Sequence, residues 1–458
     1  MKLRLVWLFL IALRATLTYG THYYVSNRGL DVNSGRSTTQ AWKTIGRVNG
    51  QKFAPGDRVL FQRGGIWRET LQPQSSGLNG NIILYGAYGS GERPILSGSD
   101  QIRKAQWRGI RNHIYLCGTK LPHAPPACVR KSGRLLQRVW NEVNLRRPGE
   151  WWFDFASGRI YLYSDSGPPD DLELQVRDSN IDNNEQSHIT YQNLELKGAR
   201  QGLRLYAWRK IVQDVTLQDS LIQTEETQDG GAMSAGVYAN IKLGSFARLA
   251  IRNNEFAPFP TGLRNWGIYL VRGVNDFQIE RNRFGPAGED AITVWHSRNG
   301  VIRNNTGGGN GENTIDVKDS HEVLIEQNEA VDDNEYNIVV HSVDEAGLNV
   351  TSDIVVARNH CSRGGQGRAL PAGIALLSVK RSKVIDNLIE DPMGEAVLVH
   401  DASSASGNEV TGNTLLQTKS SLNVVPVVLQ NAAGTSARNN QTVTRTNTPR
   451  NPAGSLSK

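Results

Sequence analysis

A short apolar strand ending on asparagine recurs along the second half of this chain, and no other feature constrains its fold as much. IRNNEF (251–256), IERNRF (279–284), VIRNNT (301–306), LIEQNE (324–329), VVARNH (355–360), VIDNLI (384–389) and EVTGNT (409–414) each place the amide after the strand, at Asn254, Asn282, Asn305, Asn328, Asn359, Asn387 and Asn413. From Asn282 to Asn305 and from Asn305 to Asn328 the interval is 23 residues, and the longer intervals elsewhere suit coils that carry inserted loops. Asn tolerates left-handed backbone and bonds to nearby main chain, so a recurrent tight turn is expected at these residues. A repeat of this length is one supersecondary unit that buries its apolar face only by stacking on its neighbours. The spacing predicts an all-β chain wound as a right-handed parallel β-helix.

A second strand precedes each asparagine unit: GIYLV (267–271), AITVW (291–295), TIDVK (314–318), NIVVH (337–341), GIALL (373–377) and AVLVH (396–400). Side chains alternate across a strand, so Ile268, Ile292, Ile315, Ile338, Ile374 and Val397 are expected inside with Leu270, Val294, Val317, Val340, Leu376 and Val399. Two outward columns follow. One runs Tyr269, Thr293, Asp316, Val339, Ala375, Leu398, and the other Val271, Trp295, Lys318, His341, Leu377, His400. Earlier coils are marked by GLRLY (202–206) and GVYAN (236–240).

Other parts of the chain break the repeat. Residues 1–20 have a basic start at Lys2 and Arg4, an apolar run and small residues near Gly20, which reads as an export signal to a secreted or periplasmic destination. Arg14 interrupts that run, and no later stretch reaches the roughly 20 apolar residues of a spanning helix, so no stable membrane span is expected. Removal of the segment takes the formal charge from +7 to +4, a mild attraction to polyanions without the concentrated basic element of a nucleic-acid reader. A monomer is expected. Residues 101–178 are Trp- and Pro-rich, and GEWWFDFASGRIYLYS (149–164) suggests a hairpin turning at Ser157-Gly158 within a small inserted β subdomain. The helix core is assigned to 179–431, and the polar segment 432–458 is expected to fray. In an oxidising compartment Cys117 and Cys128 could close a short loop, leaving Cys361 unpaired.

YYVSNRG (23–29), AWKTI (41–45), PGDRVLFQRGGIW (55–67) and YGAYGSGERPILSG (85–98) resemble the opening segment of secreted β-helix proteins, which implies a cap and first coils over 21–100. Chemistry concentrates in EDAITVWHS (289–297), ENTIDVKDS (312–320) and EYNIVVHS (335–342), where Glu289, Glu312 and Glu335 share one column. Carboxylates stacked about 4.8 Å apart repel unless a cation, a proton or solvent compensates. Hard cations such as Ca²⁺ take such oxygen ligands. These two coils resemble the calcium-binding coils of the β-helical pectate lyases of polysaccharide lyase family 9, which implies a pectate-lyase-like solenoid with Asp290, Glu312, Asn313 and Asp316 as metal ligands. Ala291 and Thr314 stand where that family has glycines, and Val339 and Ala375 where it has its lysine base.

Three functions remain open on these residues. A lyase acting on an acidic polysaccharide by β-elimination needs a base, for which Lys318 and His341 beside Asp316 qualify, and a cation for the uronate, from calcium or from Arg272, Arg298, Arg363 or Arg368. A glycoside hydrolase needs paired carboxyls. EDAITV is similar to the acidic strand of β-helix hydrolases such as polygalacturonases, which implies Glu289 or Asp290 as acid or nucleophile, and carboxylates one coil apart approach the roughly 5–5.5 Å of retaining enzymes. A C5-epimerase is a further alternative, and a non-catalytic polysaccharide binder would keep Trp295 and the arginines without needing Asp316, Lys318 and His341 together; Trp295, Tyr269 and Tyr238 could give faces for sugar stacking.

Overall fold

A computed structural model describes residues 20–121, 126, 128–224, 233–259, 264–343, 350–367, 371–400, 407–418 and 424–444. The chain winds as a right-handed parallel β-helix. Successive coils contribute strands to three long sheets of sixteen, twelve and ten strands. The ten-stranded sheet carries the chemistry. Its strands are β1 (Ser179–Asn184), β2 (Gln201–Ala207), β3 (Ser234–Ile241), β4 (Asn265–Val271), β5 (Ile292–Trp295), β6 (Ile315–Lys318), β7 (Tyr336–His341), β8 (Ala372–Leu377), β9 (Glu395–His400) and β10 (Val427–Gln430), stacked in chain order.

The register follows from which residues are apolar. Ile268 pairs with Ile292, Ile292 with Ile315, Ile315 with Ile338, Ile338 with Ile374 and Ile374 with Val397. Each of these side chains has no solvent exposure. Burying one contributes about 1.5–3 kcal/mol, and a one-residue slip would turn the whole set outward, so the register is strongly held. A single core cluster accordingly runs from Val25 to Leu415.

The asparagines stack, but not for the expected reason. The left-handed residue of each turn is the one before the ladder residue: Asn253, Arg281, Asn304, Gln327, Arg358, Asp386 and Gly412 have φ between 53° and 70°. The ladder asparagines themselves are buried and bond along the axis. Asn282 N and Nδ2 both donate to Asn305 Oδ1, each at 3.0 Å, while Asn282 Nδ2 also donates to Ile251 O at 2.8 Å. Asn305 repeats the pattern on Asn328, and Asn328 on Asn359. Each amide therefore satisfies main-chain groups that the turn removes from the sheets.

Residues 21–100 form the first coils, with His22–Val25, Arg58–Gln62 and Ile83–Tyr88 in the sixteen-stranded sheet and a short helix, Ile45–Asn49, capped by Thr44 Oγ1. The insertion is a separate β unit. The hairpin Glu150–Asp154 with Arg159–Tyr163 lies in a five-stranded sheet, packed through Trp107, Trp151, Phe153, Ile160 and Leu162. Among the described residues no disulfide forms. Cys117 ends a strand of that sheet, whereas Cys128 precedes Val129–Lys131 of a neighbouring four-stranded sheet, and all three cysteines are buried. The helix does not end at residue 431: Ser436–Arg438 and Gln441–Thr444 continue the parallel pairing. Within 432–458 the described part is thus coil structure up to Thr444, and 445–458, like 1–19 of the segment read as an export signal, lies outside the described residues. Among the described residues no helix is long and apolar enough to cross a membrane.

Candidate active site

Both outward columns form as the spacing predicts. Tyr269, Thr293, Asp316, Val339, Ala375 and Leu398 are successive partners, and Val271, Trp295, Lys318, His341, Leu377 and His400 stand beside them. The first column faces away from the core yet is covered. Tyr269 is 8% exposed, Thr293 0% and Asp316 3%, so Asp316 is a buried acid rather than an exposed one.

A buried carboxylate needs partners, and Asp316 has two. Lys318 Nζ donates to Oδ2 at 2.8 Å, and His341 Nε2 lies 2.9 Å from Oδ1. Burial alone would raise its pKa, but these two groups hold it down to about 2. The same pairing pushes Lys318 well above the usual lysine range, so its ammonium stays charged. Its ammonium is engaged by Asp316 Oδ2.

Asp290 sits one coil away with the opposite tendency. It is 1% exposed, accepts from Thr293 Oγ1 at 2.6 Å, and accepts from Asn313 N and Nδ2 at 3.0 and 2.8 Å. Thr293 is the direct partner of Asp316 on the next coil. Burial and the charge on Asp316 raise the Asp290 carboxyl to about 7, so below neutrality Asp290 holds a proton that Asp316 does not. At the strand entrance Glu312 is raised to about 8 by burial and by Asp290, Glu289 and Glu335.

The proposed calcium ligands do not suit that ion as they stand. Both Asp316 oxygens face nitrogen donors, the Asp290 oxygens face an amide, a main-chain N–H and a hydroxyl, and Asn313 Oδ1 accepts from Tyr336 N at 3.0 Å. Among the described residues no group of three or more His, Cys, Asp or Glu is placed to hold a metal. The acids are compensated instead by Lys318, His341 and bound protons.

Aromatic residues line the same face. Trp295 lies between Arg272 and Lys318, at 5.9 and 5.7 Å from its ring, and donates from Nε1 to Asp319 Oδ2 at 2.9 Å. Tyr269 stacks on Trp266 at 4.6 Å and lies 6.0 Å from Tyr238. Two of the arginines singled out in the sequence are elsewhere. Arg298 begins a strand of the sixteen-stranded sheet, beyond the turn after Trp295, and Arg363 follows a strand of the twelve-stranded sheet, where it pairs with Asp332 at 2.5 Å. Arg368 lies outside the described residues. Sequence reading missed Thr293 as a site residue and also Trp266, although its alignment with Asp290 follows from the register of β4 on β5.

Residues 233–356 and 262–415 match the family described as "Right handed beta helix region". This part of the chain is a right-handed β-helix region. A stretch of 99 residues is 32% identical to a lacto-N-biosidase of Bifidobacterium longum subsp. longum, a match that spans 20% of this chain and 6% of that protein. The β-helix is similar in structure to a GH136 lacto-N-biosidase from Eubacterium ramulus, with a TM-score of 0.56 at 15% identity over 92% of this chain and 68% of that one. It is also similar to XylC in complex with xylose, with a TM-score of 0.55 at 13% identity over 94% and 87%. The neighbours of this β-helix are thus carbohydrate-active enzymes, and at these identities the likeness is one of fold.

Proposed function

We propose that this chain is an exported glycoside hydrolase in which Asp290 gives the proton to the leaving oxygen and ionised Asp316 acts at the anomeric carbon. The observation that carries the reading is the pair itself: two acids on adjacent coils whose surroundings drive their protonation apart. A hydrolase needs this division of labour between its carboxyls. Lys318 and His341 hold Asp316 charged, and Trp295 and Tyr238, both partly exposed, offer faces to sugar rings. Part of an acidic polysaccharide is a weaker fit as substrate, because the cation nearest the acids, Lys318, is already engaged by Asp316.

A β-eliminating lyase is the second reading. It is favoured by one contact, the 2.9 Å approach of His341 Nε2 to Asp316, which would orient the imidazole as a base. Purified protein incubated with neutral and uronate-containing polysaccharides separates the two. New reducing ends without ultraviolet-absorbing unsaturated ends support hydrolysis, whereas unsaturated ends remove it. Export through residues 1–20 is tested by sequencing the N-terminus of protein recovered from outside the cytoplasm.

A further inference from the structure

The two outward columns continue toward the N-terminus, where they form a second feature away from the proposed catalytic acids. Asp182 pairs with Arg204 and Arg204 with Tyr238, while Asn184 pairs with Tyr206 and Tyr206 with Asn240. All of these but Asn240, together with Glu185, Gln201 and Trp208, line a groove of about 560 Å³. It is a built site. Arg204 makes a two-point contact with Asp182, Nε to Oδ1 at 3.0 Å and Nη2 to Oδ2 at 2.6 Å, which fixes the guanidinium across the floor. Gln201 is 9% exposed, and its Oε1 has no hydrogen-bond donor among the described residues. Trp208 is 39% exposed, with Lys242 Nζ 3.9 Å from its ring centre and Tyr206 5.8 Å away.

We infer that this groove is a distal subsite for neutral sugar units of an oligosaccharide laid along the helix axis toward Asp316. The path between the two is continuous: Arg204, Tyr238, Tyr269, Thr293 and Asp316 are consecutive rungs, so the separation is four rungs or roughly 19 Å, a span that several linked sugar rings cover. Of the aromatic rings on that path Tyr238 is partly exposed, and Tyr269 and Trp266, each 8% exposed, back it. The charge balance selects the sugar class. Among the described residues lining the groove Arg204 is the cation, and Asp182 already neutralises it. Glu185 adds a carboxylate kept ionised by the Arg209 and Lys210 main-chain N–H groups. A uronate would find Arg204 engaged by Asp182 and a second carboxylate, Glu185, with Lys210 Nζ 3.8 Å from it, whereas hydroxyls find the guanidinium, Gln201 and Asn184, and ring faces find Tyr206 and Trp208.

The inference rests on the carbohydrate-cleaving reading for the direction of the chain, but its test separates the two. Binding of neutral xylo- and cello-oligosaccharides and of oligogalacturonates, each as disaccharide and hexasaccharide, is followed by calorimetry in the full chain and in Asp316→Asn. Cleavage of the same compounds is followed in the wild type. Trp208→Ala is expected to weaken binding of a neutral hexasaccharide about tenfold, with Trp208→Phe retaining most of it, and to raise KM for long but not short substrates with kcat unchanged. Because Trp208 is partly exposed, the substitution leaves the core intact, and unchanged melting checks this. If a hexasaccharide binds in a Trp208-dependent way but nothing is cleaved, the subsite stands and the hydrolase reading falls. Cleavage with the same chain-length dependence in wild type and Trp208→Ala overturns the subsite, as does failure of every compound to bind. Oligogalacturonate binding as tight as that of neutral chains overturns the assignment to neutral sugars.

Discussion

At the scale of single residues, proton placement is what distinguishes Asp290 from Asp316. Both are buried aspartates in successive coils, yet Asp316 is held by an ammonium and an imidazole, whereas Asp290 has only neutral donors and a neighbouring negative charge. Activity is therefore expected to hold on the acid side of neutrality and to fall as pH rises through about 7, where Asp290 loses the proton it must donate. The rate profile of the wild type against Glu312→Gln checks which acid sets that limb: Glu312→Gln leaves it in place, and a limb that vanishes with Glu312→Gln assigns the proton to Glu312. Asp316→Asn and Asp290→Asn are each expected to reduce kcat by about two to four orders of magnitude with folding preserved. If Asp316→Asn remains fully active, the site is elsewhere. The sequence placed these acids, with Lys318 and His341, on neighbouring coils. It did not show that they are buried, because alternation along a strand tells which way a side chain points and not whether something covers it.

At the scale of the coil, the asparagine ladder converts a turn into a continuous column of bonds. Asn305→Ala would leave the main-chain N–H of Asn282 and the carbonyl of Ile279 unsatisfied, a destabilisation of about 2–4 kcal/mol measurable by urea unfolding. A smaller effect than about 1 kcal/mol would mean that the ladder is ornamental. A second buried column holds Asp333, which accepts from Asn310, Thr314 and Asn337 and is raised to about 7 by burial. Its folded pKa lies above its unfolded one, so its contribution is complete below about pH 4 and is lost as pH rises to about 7. Asp290 and Glu312 shift the same way, whereas the stability due to Asp316 is lost only as pH falls toward about 2. The melting temperature is accordingly expected to decline between about pH 4 and 8, and Asp333→Asn to flatten that decline. An unchanged slope in Asp333→Asn removes Asp333 as its source. Here the spacing of the asparagines was legible, but the left-handed conformation was assigned one residue late, since a tight turn in sequence does not say which of two adjacent residues bears the positive φ.

At the scale of the whole molecule, the helix makes a line of positions rather than one pocket, which suits a long ligand. Compensation of the acids by Lys318 and His341 leads to the expectation that a chelator leaves both melting temperature and activity unchanged; a fall in either on chelation, reversed by added calcium, would overturn it. What the sequence determined by itself is the architecture: a period near 23 residues with alternating aliphatics specifies stacked coils, their register and the membership of each outward column, because all of these are local repeats of one unit. Only the tertiary structure decided which column residues are dry, which carboxyl keeps its proton, that Arg298 and Arg363 face other sheets, that the coils run on to Thr444, and that a groove opens beside Arg204. Those properties depend on neighbours supplied by other coils and by turns of unequal length, and the period carries no record of either.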